Sequence, residues 1–292
     1  MKKILWMSAI MISTLFAVEL RIGKGSYDTL IDIKNFMHHD TTNDTLVFTL
    51  TQPHAPLLQK PLFYYYELEL LTSDTKRQKT EFAGFVPSYQ FPLVGSINDM
   101  TNSVIDMFPV DGDYEALGFD LNGGLGYDIV RQGESYVGLA LNVGATLPTI
   151  NADNLSTKAS LAYDLVQKWD LDVTTYKIGP LLKANLALDG GFSLYGASSF
   201  GFQKAFVKSG LFKSSVDVKG DYSAFDIGVK YHPTKVTFLP KNISLSLGYS
   251  VKKWSVDSVD VNLYNFFKAD VFSPFETELK SRYFYLGVGY HF

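Results

Sequence analysis

Two short segments of this 292-residue chain hold residue types that could activate water or bind a metal. Asp111-Gly112-Asp113 carries two carboxylates two residues apart, and His38-His39-Asp40 sets two imidazoles beside a carboxylate. Paired carboxylates can divide acid and base work between them, and a His beside an Asp can serve as a base or a ligand. Neither segment has a partner in its neighbourhood. Asp111 to Asp113 reads as a solvated acidic turn, and His38 with His39 as a loop pair with at most weak affinity for a metal. The other histidines stand in Pro53-His54-Ala55, Tyr231-His232-Pro233 and Tyr290-His291-Phe292, with no nucleophile beside them. The chain has no cysteine, which removes thiolate metal sites and a cysteine nucleophile. Asn122-Gly123-Gly124-Leu125-Gly126 has the glycine content of a phosphate loop, but no helix follows it. Gly118, Gly124 and Gly126 are better read as small residues giving room to bulky neighbours in a strand. No catalytic residue, cofactor or metal site is expected.

The remaining charges have a different logic, because they alternate with apolar residues. Glu67, Glu69, Asp120, Asp128, Lys177, Lys183, Asp226 and Lys230 each lie between apolar positions of period two, and Lys252 follows Val251 in the same alternation. That period puts all the charges on one face of a set of β-strands. The elements that position them are legible in the same pattern. Ile243, Leu245, Leu247, Tyr249 and Val251 oppose Ser244, Ser246, Gly248, Ser250 and Lys252; similar runs occupy Phe225 to Tyr231, Phe192 to Phe206, Tyr176 to Leu188, Val137 to Ala145 and Leu117 to Tyr127. Less regular runs lie at Leu62 to Leu70, Leu46 to Leu50 and Leu20 to Ile22. With the terminal strand the total is ten, and eight or twelve also fit.

Both termini bear on where such strands fold. Met1-Lys2-Lys3, the apolar stretch Ile4 to Phe16 and the small residue Ala17 have the form of a secretory signal peptide, residues 1–17, with the mature domain at 18–292. The apolar stretch is too short to span a bilayer, and no later segment has the roughly 20 apolar residues a transmembrane helix needs. With Lys2 and Lys3 removed, 24 basic residues face 30 acidic ones, a poor match for a nucleic acid. At the other end Phe284, Leu286, Val288, Tyr290 and Phe292 are apolar or aromatic at every second position, opposite Tyr283, Tyr285, Gly287, Gly289 and His291.

A strand with oil outside and polar groups inside, ending on an aromatic, resembles the final strand of Gram-negative outer-membrane β-barrels. In that family these alternating residues are the signal read by the barrel-assembly machinery. The alternative is the last strand of a soluble sandwich. The resemblance implies an all-β fold, a transmembrane antiparallel up-and-down barrel in the outer membrane, surrounded by membrane lipid and lipopolysaccharide, and a monomer. Bacterial barrels of one chain have even strand numbers, short periplasmic turns and long outer loops. If Phe292 ends in the periplasm, the periplasmic joins are Gln52 to Pro61, Val130 to Glu134, Asp189 to Gly190 and His232 to Lys241, all short. The outer joins are then Ser26 to Asp44, Thr72 to Tyr114, Ile150 to Asp170, Lys208 to Ser214 and Val259 to Lys280, most of them long.

Some families with this architecture are enzymes. Omptin proteases resemble the chain in length and strand number, but neither Asp111-Gly112-Asp113 nor His38-His39-Asp40 matches their motif context, and no Asp-x-His occurs. Outer-membrane phospholipases set a His beside a Ser-Asn pair, which no histidine here has. Thr51 to Leu58 is similar to the His-Pro-rich turn of a group of uncharacterised proteobacterial outer-membrane proteins. Leu155, Ala159, Ala162, Val166 and Trp169 recur at helical spacing, either a short amphipathic helix over the rim or an ordered loop. The expected function is a non-catalytic surface role through long loops, with an unidentified outer ligand; a narrow channel for small solutes is the alternative, and a hydrolase comes third.

Overall fold

The computed structural model describes residues 17–33, 37–57, 61–84, 106–156, 171–208, 216–233, 240, 242–262 and 272–291. Residues 1–16, all but the last of the expected signal peptide 1–17, and Phe292 of the expected assembly signal lie outside them. The described residues form β1 (Ala17–Ile33), β2 (Met37–Pro56), β3 (Leu62–Ser73), β4 (Lys76–Gly84), β5 (Asp106–Gln132), β6 (Ser135–Ser156), β7 (Leu171–Ala187), β8 (Phe192–Lys208), β9 (Val216–Tyr231), β10 (Ile243–Asn262) and β11 (Phe272–His291). All pairings are antiparallel, and β1 pairs with both β2 and β11, so the sheet closes on itself. Strands β3 and β4 share one place in the wall. Leu62 to Thr72 lie against Tyr127 to Leu117 of β5, and Lys76 to Gly84 lie against Tyr114 to Asp106 of the same strand. The result is the expected ten-position up-and-down barrel with one wall strand interrupted at Asp74 and Thr75.

Two tight turns lie at one end. Asp189–Gly191 form a single 3-10 turn between β7 and β8, with φ of 80° at Gly190 and 87° at Gly191. A backbone of that hand is natural to glycine, so Asp-Gly-Gly closes the hairpin without steric cost. Gly133, at φ 61°, does the same between β5 and β6.

At the opposite end, called here the rim, the strands run further than expected. β5 has 27 residues and β2 has 20, against the roughly 9 to 11 that a membrane-crossing strand needs. Ser26 to Asp44, expected as a loop, is instead mostly β1 and β2 paired from Ser26↔Asp44 to Ile33↔Met37. Most of the expected Thr72 to Tyr114 join that is described is likewise the β4–β5 ladder. The reason is a change in the sign of the alternation. Near the turns, apolar Leu20 and Ile22 face out and Glu19 and Arg21 face in; towards the rim, Lys24, Asp28 and Asp32 face out, and Tyr27, Ile31 and Ile33 are buried inside. A pattern sought as oil outside and polar inside disappears at Lys24, although the strand continues.

Three smaller expectations change for the same reason. Asp111-Gly112-Asp113 is strand rather than turn, with Asp113 paired to Arg77 at 3.3 Å and accepting from Asn154 Nδ2 at 2.8 Å. His38-His39 is strand rather than loop, His38 facing out and His39 fully buried. Leu155 lies in β6 and packs against the interior apolar cluster, so no helix begins there; 157–170, the rest of the expected helix, lie outside the described residues.

Candidate functional site: the lumen and the rim interior

Between the turns and Lys24 the outward face is apolar, and the polar side chains turn inward. Leu247 is 56% exposed on the outer wall, while its neighbour Ser246 is 6% exposed inside. All nine charges assigned to the inner face are there, in two networks and two separate sites.

The larger network centres on Lys252. Its Nζ donates to Glu67 Oε1 at 2.7 Å, Glu69 Oε2 at 2.7 Å and Asp120 Oδ2 at 3.0 Å. Lys177 Nζ reaches the other oxygen of Asp120 at 2.5 Å. Three carboxylates thus share two ammonium groups, and neutral donors supply the rest: Tyr283 to Glu69 at 2.5 Å, Thr146 and Asn122 to Asp120 at 2.6 and 2.8 Å. Buried charges persist only when paired and hydrogen-bonded, which this cluster achieves with residues from six strands. Lys177 also rests its ammonium 4.0 Å from the Tyr222 ring centre.

The second network lies nearer the turns. Arg21 Nε donates to Glu19 at 2.7 Å and its Nη1 to Asp226 at 2.9 Å; Lys230 pairs with Glu19 at 2.6 Å. Tyr285 donates to Asp226 at 2.5 Å and its hydroxyl meets that of Tyr195 at 2.7 Å. The two tyrosine rings fit because Gly228 and Gly248 lie beneath them, where any side chain would collide with the hydroxyl ends.

Between the networks is a cavity of about 90 Å³, lined among others by Tyr65, Asn122, Asn142, Lys183 and Ser199. That is room for a few water molecules. Lys183 holds its ammonium 4.4 Å from the Tyr65 ring centre and, among the described residues, pairs with no carboxylate. Asp128 stands apart at the turn end. It takes His54 Nε2 at 2.9 Å and Arg131 Nη1 at 2.7 Å, and the His54 ring is stacked between Phe63 and Tyr136 at 4.3 and 4.0 Å.

Above the ionic networks the interior becomes apolar: Tyr27, Ile31, Ile33, Val110, Ile150, Val207, Val218 and Leu279 belong to one buried cluster. His39 lies among polar neighbours at its edge. Its Nδ1 is 2.7 Å from Thr80 Oγ1, its Nε2 is 3.1 Å from Thr41 Oγ1, and Thr80 is 2.6 Å from the Tyr114 hydroxyl. Burial, with a smaller effect from His38, pushes the His39 imidazole down to about 3. A neutral His beside a threonine hydroxyl has the parts of a base and a nucleophile, but His39 and Thr80 are both fully buried, closed to any substrate.

Glu19, Arg21, Tyr283, Tyr285 and the His54–Asp128 pair were not among the contacts expected from the sequence. Glu19 and Arg21 were legible as the inward partners of Leu20 and Ile22 in the short first run. The pair was not, because His54 and Asp128 are 74 residues apart. Phe284, Leu286, Val288 and Tyr290 all face outward, as expected of the terminal strand.

No curated protein sequence matches the chain. Among solved structures it is similar to the outer membrane protease OmpT of Escherichia coli, at 8% identity and a TM-score of 0.53, over 94% of this chain and 97% of that one. It is also similar to the translocator domain of the autotransporter NalP of Neisseria meningitidis, at 10% identity and a TM-score of 0.38, over 100% and 96%. Neisserial surface protein A aligns at 9% identity and a TM-score of 0.29, over 94% and 99%. Likeness at such identities concerns the fold alone. The family described as Outer membrane protein beta-barrel domain matches residues 90–292, most of the chain. With a closed antiparallel wall, an apolar outer band and a charged interior, the chain belongs to that family of outer-membrane β-barrels.

Proposed function

We propose that this barrel is a non-catalytic, monomeric platform that carries the rim connections beyond the outer surface of the membrane, where they meet partners. The observation that carries this reading is the rim extension, a wall with charged residues outside and a packed apolar core inside, which is how a water-exposed barrel is built. The orientation rests on the short turns, which in this architecture face the periplasm. Cysteine introduced at Ser273, in the rim half of β11, is expected to react with an impermeant maleimide on intact cells. Cysteines at Gly190 and Gln132, in the turns, should stay unlabelled until the membrane is permeabilised. The reverse pattern overturns the surface role.

A channel is the second reading, favoured by the water-sized cavity. Against it, Arg21, Lys177, Lys230 and Lys252 are each bonded across the lumen to carboxylates, and the apolar cluster lies above them. A planar bilayer trace without conductance steps is expected; steps would put the channel first. Hydrolysis, of which the protease OmpT is an example on this fold, is third, because His39 and Thr80 are out of reach of a substrate.

A further inference from the structure

The level at which the outer wall changes from apolar to polar is not uniform around the barrel. On β1 the residue after Ile22 on the outer face is Lys24; on β11 Arg282 follows Phe284, on β10 Lys253 follows Val251, and on β8 Lys204 follows Phe202. Only Ser223, after Phe225 on β9, interrupts this arc on five consecutive wall strands. Around the rest of the wall the corresponding residues are Asp44, Thr72, Glu115, Thr149 and Thr174, with no cation among them. The boundary row is therefore basic over one half and neutral or acidic over the other.

Neighbouring side chains keep the arc positive. Lys280 and Lys219 add to it, against Asp28, Glu278 and Asp221. Lys253 pairs with Glu278 at 2.8 Å, both open to solvent, where such pairs are loose. Arg282 pairs with the partly buried Asp28 at 2.9 Å and donates to Ser26 Oγ at 2.9 Å, yet its own side chain stays 45% exposed. Lys24 makes no ion pair among the described residues. Lys24 and Lys253 stand above Ile22 and Val251, Arg282 above Phe284, and Lys204 between Phe202 and Phe206, its ammonium 4.7 Å from the Phe206 ring centre. A cation at the edge of the lipid-facing band sits at headgroup depth, within reach of phosphate oxygens, which prefer several convergent lysine and arginine donors to one.

We propose that the arc Lys24, Arg282, Lys253 and Lys204 binds the phosphates of an anionic lipid in the leaflet on the rim side. Resting on the outward orientation of the rim proposed above, this is the phosphorylated glycolipid of the outer leaflet. It gives the barrel a lipid-clasping side and a side whose boundary row, without a cation, does not hold such lipid.

The test uses the full mature chain refolded in phosphatidylcholine vesicles, alone or with lipopolysaccharide, or with the same lipopolysaccharide stripped of its phosphates. The readout is the rise in unfolding temperature, followed by the gel-mobility change of the folded barrel. Phosphorylated lipopolysaccharide should raise it for the wild type, and the dephosphorylated form should raise it by less than half as much. The variant Lys24→Gln/Lys204→Gln/Lys253→Gln/Arg282→Gln should lose most of the rise, whereas Lys76→Gln/Arg77→Gln/Lys79→Gln on β4 should keep it. Because the rise is compared within each variant, a lower starting stability does not obscure it. Equal rises in the two variants, or an equal rise with dephosphorylated lipid, overturn the proposal. The maleimide experiment reads orientation separately, so failure here leaves the surface role standing.

Discussion

Strand β11 contains two proteins in succession. From Phe284 to Tyr290 its outer residues are Phe, Leu, Val and Tyr, and its inner residues are Tyr285, Gly287 and Gly289 beside the Arg21 network. From Glu276 to Arg282 the outer residues are Glu, Glu, Lys and Arg, and inner Leu279 is 2% exposed within the apolar cluster. The same inversion recurs on β1 and β5, at Lys24 and Glu115, whereas on β2 the outer face turns polar at Asp44 while Asn43, Thr41 and His39 stay polar inside. Two solvents explain it. Lipid covers apolar side chains outside as well as any core would, so the lower barrel obtains its cohesion from hydrogen-bonded and ionic contacts inside. Water surrounds the upper wall, so there the apolar residues must turn inward to be buried. One continuous backbone ladder serves both, because β-pairing is indifferent to which face is oily.

The sharpest way to break this comparison is to remove the cation at the centre of the lower interior. Lys252→Met leaves Glu67, Glu69 and Asp120 facing one another with only Lys177 near, and should cost about 3–5 kcal/mol of unfolding free energy. Lys253→Met, one residue on and outside, should cost at most about 1 kcal/mol. Equal losses in denaturant titration would mean the lumen network contributes little.

Two leucines on one strand separate the regions next. Leu279→Ala opens a hole in the rim core and should cost about 2–5 kcal/mol, while Leu286→Ala, covered by lipid, should cost well under half of that. Urea unfolding of both variants in the same vesicles decides it, and similar costs would remove the two-solvent account. Leu247→Arg then tests the outer face itself, with a loss of about 2–4 kcal/mol for a cation at membrane depth and a smaller one for Ser246→Arg inside.

The last test is one of pH, read locally at the rim. The His39 imidazole is held down near 3, below its ordinary 6.5, chiefly by burial. The unfolded chain therefore binds a proton that the folded one refuses between about pH 6.5 and 3, so stability falls as the pH drops through that window. Protection from hydrogen exchange, taken relative to the intrinsic rate at each pH, should fall at Met37 to His39 and Thr80 to Phe82 over that window and fall less near Leu247. His39→Gln should abolish the dependence, and an unchanged profile would assign it to another group.

Alternation by itself determined a large part of this molecule. Residue types at every second position decide which face of each strand meets lipid, so the band, the inward direction of all nine charges and the outward direction of Phe284 to Tyr290 were legible in the order of residues alone. Asp189-Gly190 marked its turn for an equally local reason, the ease of positive φ at glycine. The rim was not legible in the same terms, because Tyr27, Ile31 and Ile33 have the right period but the opposite sign, and only a closed wall shows which side is inside. Pairing was further out of reach. Lys252 meets Glu67 and Glu69 from 185 and 183 residues away, and Arg21 meets Asp226 from 205. Those contacts follow from register and closure, which bring strands from the two ends of the chain to opposite sides of one lumen narrow enough for side chains to meet across it.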